Sequence, residues 1–331
     1  MRRRGAGGPR RTRTAVTAAA LLLTATGCMT VHGEREIVPS VGRAEAAKVL
    51  KAFTDGYNEG YRKLDPGVIA RVETGALAEI GKADLAAQSV QTPGGNPKYP
   101  SLVLDDARFA IPAQAGWPKF FLADTRSNRD ANRWLVVFTR HGVKEPWKAA
   151  YLSIVNPGKV PEFTTGKDGY AQAVPAAKGK DHGLMAEPGK VSALYTDFLR
   201  TGKGRDFVPG PRTTGLREER DKVRRTATFW TEFIDTPEKA PAFPAPALRT
   251  KGGGALVFFT AHHREKRTMA EGLRPAVTDP RTKALLKGEL KRSVTYTRVS
   301  EAAVEVPPRD ADGGMINFLN RIDTMTAAQG E

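Results

Sequence analysis

One cysteine, Cys28, stands at the end of a short apolar run, and the 331-residue chain has no other. Without a second cysteine there is no internal disulfide, so the fold must be stabilised by apolar burial and hydrogen bonds. The first fourteen positions carry six arginines and no acidic residue, and small apolar residues dominate 15–25. A basic segment, a short apolar core and small residues before the cleavage point define a secretory signal peptide. This apolar segment is too short to cross a membrane as a helix, which needs about 20 apolar residues. Residues 1–27 are therefore predicted to be a cleaved leader.

The end of the leader, Ala25-Thr26-Gly27-Cys28, resembles the bacterial lipobox, in which small residues precede an obligatory cysteine. Ala25 departs from the pattern, because the family usually has leucine there. The resemblance implies cleavage between Gly27 and Cys28 and a diacylglyceryl group on Cys28, and two or more acyl chains anchor a protein stably. The alternative is an ordinary secretory signal cut at the same place, which would leave a thiol open to oxidation. We expect the lipid anchor, and with it a location at the outer face of the cell membrane.

Hydrophobic residues make up 40% of the chain and charged residues 27%, which is typical of a globular protein. The formal net charge is +16 and falls to +10 when the six leader arginines are removed. A basic surface suits nucleic acid, an anionic membrane or an anionic wall polymer. No nucleic-acid-binding motif is present. The basic charge is interpreted mainly as solvated surface with no dedicated partner. The expected partner is the lipid bilayer, through the diacylglyceryl group on Cys28, and the alternative for the basic surface is an envelope protein or an anionic wall polymer.

Apolar residues recur at spacings of three and four from 42 to 64, which predicts a long amphipathic helix. Asp65-Pro66 is a cap followed by a first-turn proline, so a second helix begins there. A third helix is predicted over 76–89. The period then changes to that of strands, predicted at 101–111, 119–123, 133–141 and 147–154. Helices segregated from an antiparallel sheet are typical of the α+β class.

A segment rich in Gly, Lys, Ala and Pro, 164–187, is predicted to be a linker, and a similar order of elements follows it. Helices are predicted at 188–200 and 216–230, and strands at 242–250, 255–261, 293–299 and 302–306. Residues 135–141 and 256–262 agree at five of seven positions, which favours a diverged tandem repeat. The predicted organisation is a leader (1–27), a tether (28–40), a first α+β domain (41–163), a linker (164–187), a second α+β domain (188–325) and a tail (326–331).

The order of a long helix, a shorter helix and an antiparallel sheet resembles the cone-shaped fold of nuclear-transport-factor-like and cystatin-like domains. In that fold the curved sheet wraps the long helix. The resemblance implies a space between helix and sheet. Tyr57 and Tyr61 on the helix, with Trp134 and Phe138 on the sheet, could line a pocket there or fill it. Filling is favoured, because apolar stripes at helical spacing usually form core.

Patterns of catalytic or metal-binding residues are missing from the sequence. His262 and His263 are adjacent on a predicted strand and so point to opposite faces, and no spacing of zinc ligands supports them. There is no serine-nucleophile motif, no dinucleotide-binding motif and no phosphate-binding loop. We therefore predict no catalytic residue, no metal and no cofactor, and Gly252-Gly253-Gly254 is interpreted as a hairpin turn.

Four stretches, 27–34, 94–97, 117–121 and 134–139, resemble a family of uncharacterised actinobacterial lipoproteins of the Streptomyces type. The resemblance carries no activity with it. The expected function is that of a membrane-anchored, non-catalytic binding or scaffold protein of the cell envelope. The alternative is a small-ligand carrier or an enzyme that uses a pocket inside one α+β cone. An open cavity with several polar side chains would favour the alternative.

Overall fold

A computed structural model describes residues 36–176 and 183–331. The predicted leader, Cys28 and most of the predicted tether lie outside this range. The described residues form an α+β fold with several sheets and six α-helices. The helices are α1 (Arg43–Lys63), α2 (Pro66–Val72), α3 (Gly75–Gln91), α4 (Val191–Thr201), α5 (Thr214–Arg224) and α6 (Pro280–Leu285). None of the helices in this range is both long and apolar enough to cross a membrane.

The strands form two main sheets and one small one. Sheet 1 has the order β2 (Leu104–Ala110), β4 (Lys119–Ser127), β5 (Arg133–Arg140), β6 (Lys148–Val155). Sheet 2 has the order β11 (Leu286–Lys287), β13 (Asn317–Gly330), β12 (Ser293–Val306), β10 (Ala255–Met269), β8 (Phe229–Pro237), with β9 (Ala247–Arg249) also paired to β10. The small sheet joins β1 (Val38–Pro39), β3 (Pro112–Gln114) and β7 (Ala171–Gln172). Neighbouring strands are antiparallel, except that β11 pairs parallel with β13 and β3 with β7.

The predicted N-terminal helices are confirmed. α1 buries Ala46, Leu50 and Phe53, which share one stripe of the helix. The Asp65 side chain accepts a hydrogen bond of 2.7 Å from the backbone N–H of Gly67 and so caps α2. The spacing of apolar residues and the cap are local signals, which is why the sequence predicts these elements well.

One of the two inner strands of sheet 1, β5, is buried on both faces because it lies between two layers. Leu135 and Val137 pack in a core that also contains Leu256 and Phe258 of sheet 2. We call this cluster the intersheet core. The alternate residues of β5, Val136 and Phe138, pack in a different core with α1. A strand covered on both sides has no polar face, which explains its continuous apolar sequence.

Sheet 2 repeats this arrangement with its own helix. Leu256 and Phe258 of β10 face sheet 1, and Phe258 lies 5.8 Å from the ring of Tyr151 on β6. Val257 and Phe259 belong to the core that contains α4, where the rings of Phe259 and Tyr195 lie 5.6 Å apart. The layers therefore run from α1 through sheet 1 and sheet 2 to α4.

The sequence echo between 135–141 and 256–262 falls on strands that are not equivalent. Each half has helices followed by a four-stranded meander, β2-β4-β5-β6 in one and β8-β10-β12-β13 in the other. The matching residues lie on the third strand of the first meander, β5, and on the second strand of the other, β10. In addition, α1 has 21 residues whereas α4 has 11. The shared order of elements is the remaining basis for a tandem repeat, which stays a prediction.

The second half differs from its prediction at several places. The helix predicted over 216–230 ends at Arg224, and the unpredicted strand β8 follows at Phe229–Pro237. Thr231 is buried and Glu232 exposed, as expected for alternation along a half-covered strand. The predicted pair of strands at 293–299 and 302–306 is one strand, β12. The predicted tail at 326–331 contributes Thr326 to Gly330 to β13.

The segment predicted as a linker is bonded to both halves in its described parts, 164–176 and 183–187. Ala171 of β7 pairs with Pro112 of β3, in the first half. Ala173 bridges to Leu248, and Leu184 bridges to Pro308, both in the second half. These backbone bonds connect the described parts of the segment to residues of both halves. The division into two separable domains stays a prediction.

Candidate functional site

Charged and polar side chains form a row across four strands of sheet 2. Asp235 on β8 and His263 on β10 are directly opposite in the strand register, and their side chains meet at 2.6 Å between Oδ1 and Nδ1. On the other side of the ring, His263 Nε2 lies 2.8 Å from Ser300 Oγ on β12. We call the following residues the polar row: Arg220, Asp235, His263, Ser300, Arg321 and Asp323.

Two arginines close the polar row at its ends. Arg220 from α5 donates to both carboxylate oxygens of Asp235, at 2.7 and 2.9 Å. Arg321 from β13 lies 3.1 Å from His263 Nε2 and 2.6 Å from the carboxylate of Asp323. Paired hydrogen bonds between a guanidinium and a carboxylate are among the strong contacts in proteins. The row therefore connects α5 to β8, β10, β12 and β13.

The hydrogen bonds fix the protonation of His263. Arg321 can only donate, so Nε2 must be the bare acceptor nitrogen, and Nδ1–H then donates to Asp235. Burial lowers the pKa of His263, with the nearby Arg321 cation acting in the same direction, and the ring is neutral. Burial alone would raise the pKa of Asp235, but hydrogen bonds from His263 and Arg220 outweigh it and lower the pKa to about 2.

The distances among Asp235, His263 and Ser300 match those of a serine-hydrolase triad. Two observations weigh against that chemistry. Ser300 is only 1% exposed, so its hydroxyl does not reach solvent. A triad also needs the imidazolium to form during the reaction, and the Arg321 cation beside Nε2 opposes that charge. A cleft of about 370 Å³ does border His263, but we interpret the polar row itself as a structural network.

His262 faces away from the polar row, as the sequence predicts for adjacent strand residues. Its Nε2 lies 2.8 Å from Glu79 Oε2 on α3, and its Nδ1 lies 2.9 Å from Glu238 Oε1. The ring of Phe243 packs edge-on against it at 5.6 Å. Because Glu79 belongs to the first half and Glu238 to the second, His262 connects the two. The hydrogen bond to Glu79 raises the pKa of His262 despite the opposing effect of burial.

We expect His262→Gln to destabilise the protein more at acidic than at alkaline pH. The folded-state pKa of His262 is raised, so its stabilisation is complete below the unfolded value of about 6.5 and is lost as the pH rises through the folded-state value. The loss near pH 6 should be about 1 kcal/mol. This is at the low end for a charged hydrogen bond, because Glu79 is 40% exposed.

The measurement is urea unfolding of wild type and variant from pH 5.5 to 8.5, with His141→Gln as the matched control. His141 lies in the loop between β5 and β6. A difference between wild type and His262→Gln that stays constant with pH would contradict the assignment of a charged His262.

A second cluster surrounds Arg133, at the start of β5. Arg133 Nε donates to Asp124 Oδ1 at 2.6 Å, and Nη1 donates to Asp106 Oδ2 at 2.8 Å. The backbone carbonyl of Asp106 accepts from Nη2 at 2.9 Å. Asp106 stands in the left-handed region (φ 45°), at a bulge in the pairing of β2 with β4. This strained conformation brings both its carboxylate and its carbonyl to the same guanidinium.

The cluster borders a groove of about 730 Å³ between the edge of sheet 1 and the segment 157–171. We call it the Arg133 groove. Apolar residues form part of its lining: Phe109, Ala110, Val160, Phe163 and Ala171. The exposed cations Arg108 and Arg126 also line it and approach the Asp106 carboxylate at 3.6 and 4.0 Å. Hydrogen bonding to Arg133 lowers the pKa of Asp106. Three arginines thus share the carboxylates of Asp106 and Asp124, which leaves one positive charge in excess.

The structure brings three of the four predicted pocket residues into one aromatic cluster between α1 and sheet 1. The rings of Tyr57 and Tyr61 lie 4.4 Å apart. Phe53 connects Tyr57, at 5.9 Å, to the fully buried Phe138, at 5.7 Å. Trp134 is separate, and its Nε1 donates to Asp130 at 3.0 Å. None of the four lines the cleft beside His263 or the Arg133 groove.

The remaining predicted site residues, Gly27 and Cys28, lie outside the described residues. Within 36–176 and 183–331, no group of three or more metal-ligating side chains comes together. The sequence did not single out Arg133, Asp124 or the partners of His263. The contacts of Arg133 with Asp106 join residues 27 apart, so no local pattern could reveal them.

The chain is similar to several named proteins along most of its length. Residues 37–330 match the family described as "Domain of unknown function (DUF8094)". An uncharacterized lipoprotein of Streptomyces avermitilis is 43% identical over 314 residues, which are 95% of this chain and 93% of the relative. An uncharacterized lipoprotein of Streptomyces coelicolor is 44% identical over 98% of both chains. A second lipoprotein of that organism is 25% identical over 92% of this chain and 90% of its own. No solved structure matches the chain.

Proposed function

Since the chain belongs to the DUF8094 family, and its Streptomyces relatives carry the name lipoprotein, we propose that it is a lipid-anchored protein of the cell envelope. The anchor is a diacylglyceryl group on Cys28, which follows the small residues Thr26 and Gly27. The location is the outer face of the cell membrane. The leader that precedes Cys28 supports this location, because its basic segment and short apolar core are those of an exported protein.

The role that we propose is binding without catalysis, with an anionic wall polymer as the ligand of the Arg133 groove. The observation that carries this proposal is the pair of exposed arginines, Arg108 and Arg126, above the apolar lining of the groove. Guanidinium groups bind phosphate and carboxylate in paired geometry. The carboxylates of Asp106 and Asp124 are already engaged by Arg133, so Arg108 and Arg126 are the cations that an incoming anion meets.

We expect the double variant Arg108→Ser, Arg126→Ser to bind wall fragments at least about 10-fold more weakly, since about 1.4 kcal/mol corresponds to a factor of ten. The measurement is cosedimentation of the protein with purified wall fragments, at low and at high salt. Screening should weaken the binding of wild type, and the double variant should show a smaller salt dependence.

The matched control is Arg71→Ser, Arg224→Ser, which removes the same charge from exposed positions that do not line the groove. Fragments stripped of their anionic polymer provide the second control. Equal binding by both double variants, or equal binding to stripped fragments, would exclude the Arg133 groove as the polymer site.

A second function, as a ligand carrier or an enzyme, has one observation in its favour. The cleft of about 370 Å³ borders His263 and contains both acidic and basic side chains. The burial of Ser300 and the position of Arg321 weigh against hydrolysis there. Binding through the Arg133 groove therefore remains the proposal.

A further inference from the structure

The chain enters the described structure through β1, at the edge of the small sheet. Val38 pairs with Gln114 and Pro39 with Ala113, and the Ser40 N–H donates to Pro112 at 2.9 Å. Because this pairing is antiparallel, the residues before Val38 run alongside those after Gln114. The residues that precede Val38 therefore lie next to the loop 115–118.

Two loops meet at the end of sheet 1 where β3 leads into β4. The loop 115–118 precedes the start of β4 at Lys119, and the loop 141–147 joins the end of β5 to the start of β6. Lys119 and Arg140 are paired in the register of β4 and β5, which places the two loops side by side. We call these two loops, together with Ile37, the entry end.

Aromatic and basic side chains are stacked at the entry end. The Arg140 guanidinium lies 5.9 Å from the ring centres of both Trp117 and Trp147, and Lys119 lies 5.9 Å from Trp117. Arg140 also donates to the carbonyl of Gly142 at 3.0 Å, which holds the loop 141–147. The two tryptophans are half-buried, so part of each ring reaches the surface.

Exposed aliphatic residues accompany the tryptophans. Val143 is 52% exposed and Ile37 is 75% exposed. Acidic residues are present as well. Glu45 accepts from Trp147 Nε1 at 3.2 Å, and Glu145 and Glu36 are exposed, so three acids accompany the three cations Arg140, Lys119 and Lys144. The mixture of tryptophan, aliphatic and balanced charged groups is typical of protein surfaces at the membrane–water interface, where tryptophan occupies the headgroup level. Balanced charge argues against attraction by anionic lipid alone.

The position of Cys28 limits how far the entry end can be from a membrane. Glu36 follows Cys28 by eight residues, and eight residues span at most about 26–29 Å when fully extended. This constraint rests on the proposed lipid anchor. With Cys28 lipidated, Ile37 follows the anchor by nine residues, and the loop 115–118 lies alongside it in the strand register.

We propose that the entry end docks on the phospholipid surface, with Trp117 and Val143 at the level of the headgroups. The docked side chains make apolar contacts with the bilayer, and the diacylglyceryl group keeps the protein attached to the membrane. Because the charges at the entry end are balanced, docking should occur on zwitterionic and on anionic membranes alike.

The test uses the full mature protein with its lipid, reconstituted on vesicles that carry brominated acyl chains, which quench nearby tryptophan fluorescence. Vesicles of phosphatidylcholine alone and of phosphatidylcholine with phosphatidylglycerol are compared. We expect strong quenching on both. Trp117→Phe should reduce the quenching, with the remainder coming from Trp147, whereas Trp230→Phe, at an exposed position on β8, should leave it unchanged.

A second variant keeps all four tryptophans in place. Val143→Glu should reduce the quenching, while Val90→Glu, at another exposed valine at the end of α3, should not. Flotation with the vesicles reports the lipid anchor separately. Protein that fails to float contradicts the anchor at Cys28. Protein that floats with no quenching, or with equal quenching in the Val143 and Val90 variants, overturns the docking of the entry end.

Discussion

Asp235→Ala is expected to lower the free energy of unfolding by about 3–5 kcal/mol, the range for removing one partner of a buried ion pair. The Asp235 side chain is only 3% exposed and accepts from both Arg220 and His263. Its removal leaves a buried guanidinium and a buried imidazole N–H without an acceptor. The measurement is urea unfolding of the unlipidated Cys28→Ser protein, followed by circular dichroism.

The matched control for this prediction is Asp55→Ala on α1. Asp55 forms an ion pair of 2.6 Å with Lys51, but its side chain is 64% exposed. Surface pairs of this kind contribute about 0–0.5 kcal/mol. If the two variants lose the same small amount, the polar row does not hold β8 and α5 together.

Cys28→Ala is expected to move nearly all of the protein from the membrane to the released fraction. Without the cysteine there is no sulfur to carry the diacylglyceryl group, and the proposed docking of the entry end would by itself give only a weak, reversible contact. Two or more acyl chains are what make membrane attachment stable. The measurement is fractionation of cells that express the full chain, with the N-terminal peptide identified by mass.

Gly27→Ala is the control for the Cys28 variant, because it keeps a small residue before the cysteine. It should remain in the membrane fraction after a wash in alkaline buffer, which removes peripheral proteins. Cys28→Ala protein that survives the same wash in the membrane fraction would show that attachment does not need the lipid.

The helices of the first half could be predicted because their signals are local. The apolar spacing of α1 and the Asp65 cap each span only a few residues. The strand ends were harder to place, because they depend on which neighbour each strand finds. β10 continues to Met269 because β8 and β12 pair with its polar second half, which has no apolar pattern of its own.

The candidate sites could not be predicted because they join distant parts of the chain. His263 meets residues 28 and 37 positions away, each on a different strand. Asp235 lies on β8, and β8 was absent from the prediction, so the partner of His263 could not be found. What the sequence did predict is that His262 and His263 face opposite ways, because that follows from strand geometry alone.

The placement of β13 in sheet 2 has a consequence for how the chain acquires its structure. β13 lies between β12 and the short β11, although it follows both in the chain. Whether the chain emerges from the ribosome or on the far side of the membrane, β12 therefore has an open hydrogen-bonding edge until residues 317–330 are available. Open strand edges pair with other chains and promote aggregation. The interval between the emergence of β12 and that of β13 is when the nascent protein most needs protection from its neighbours.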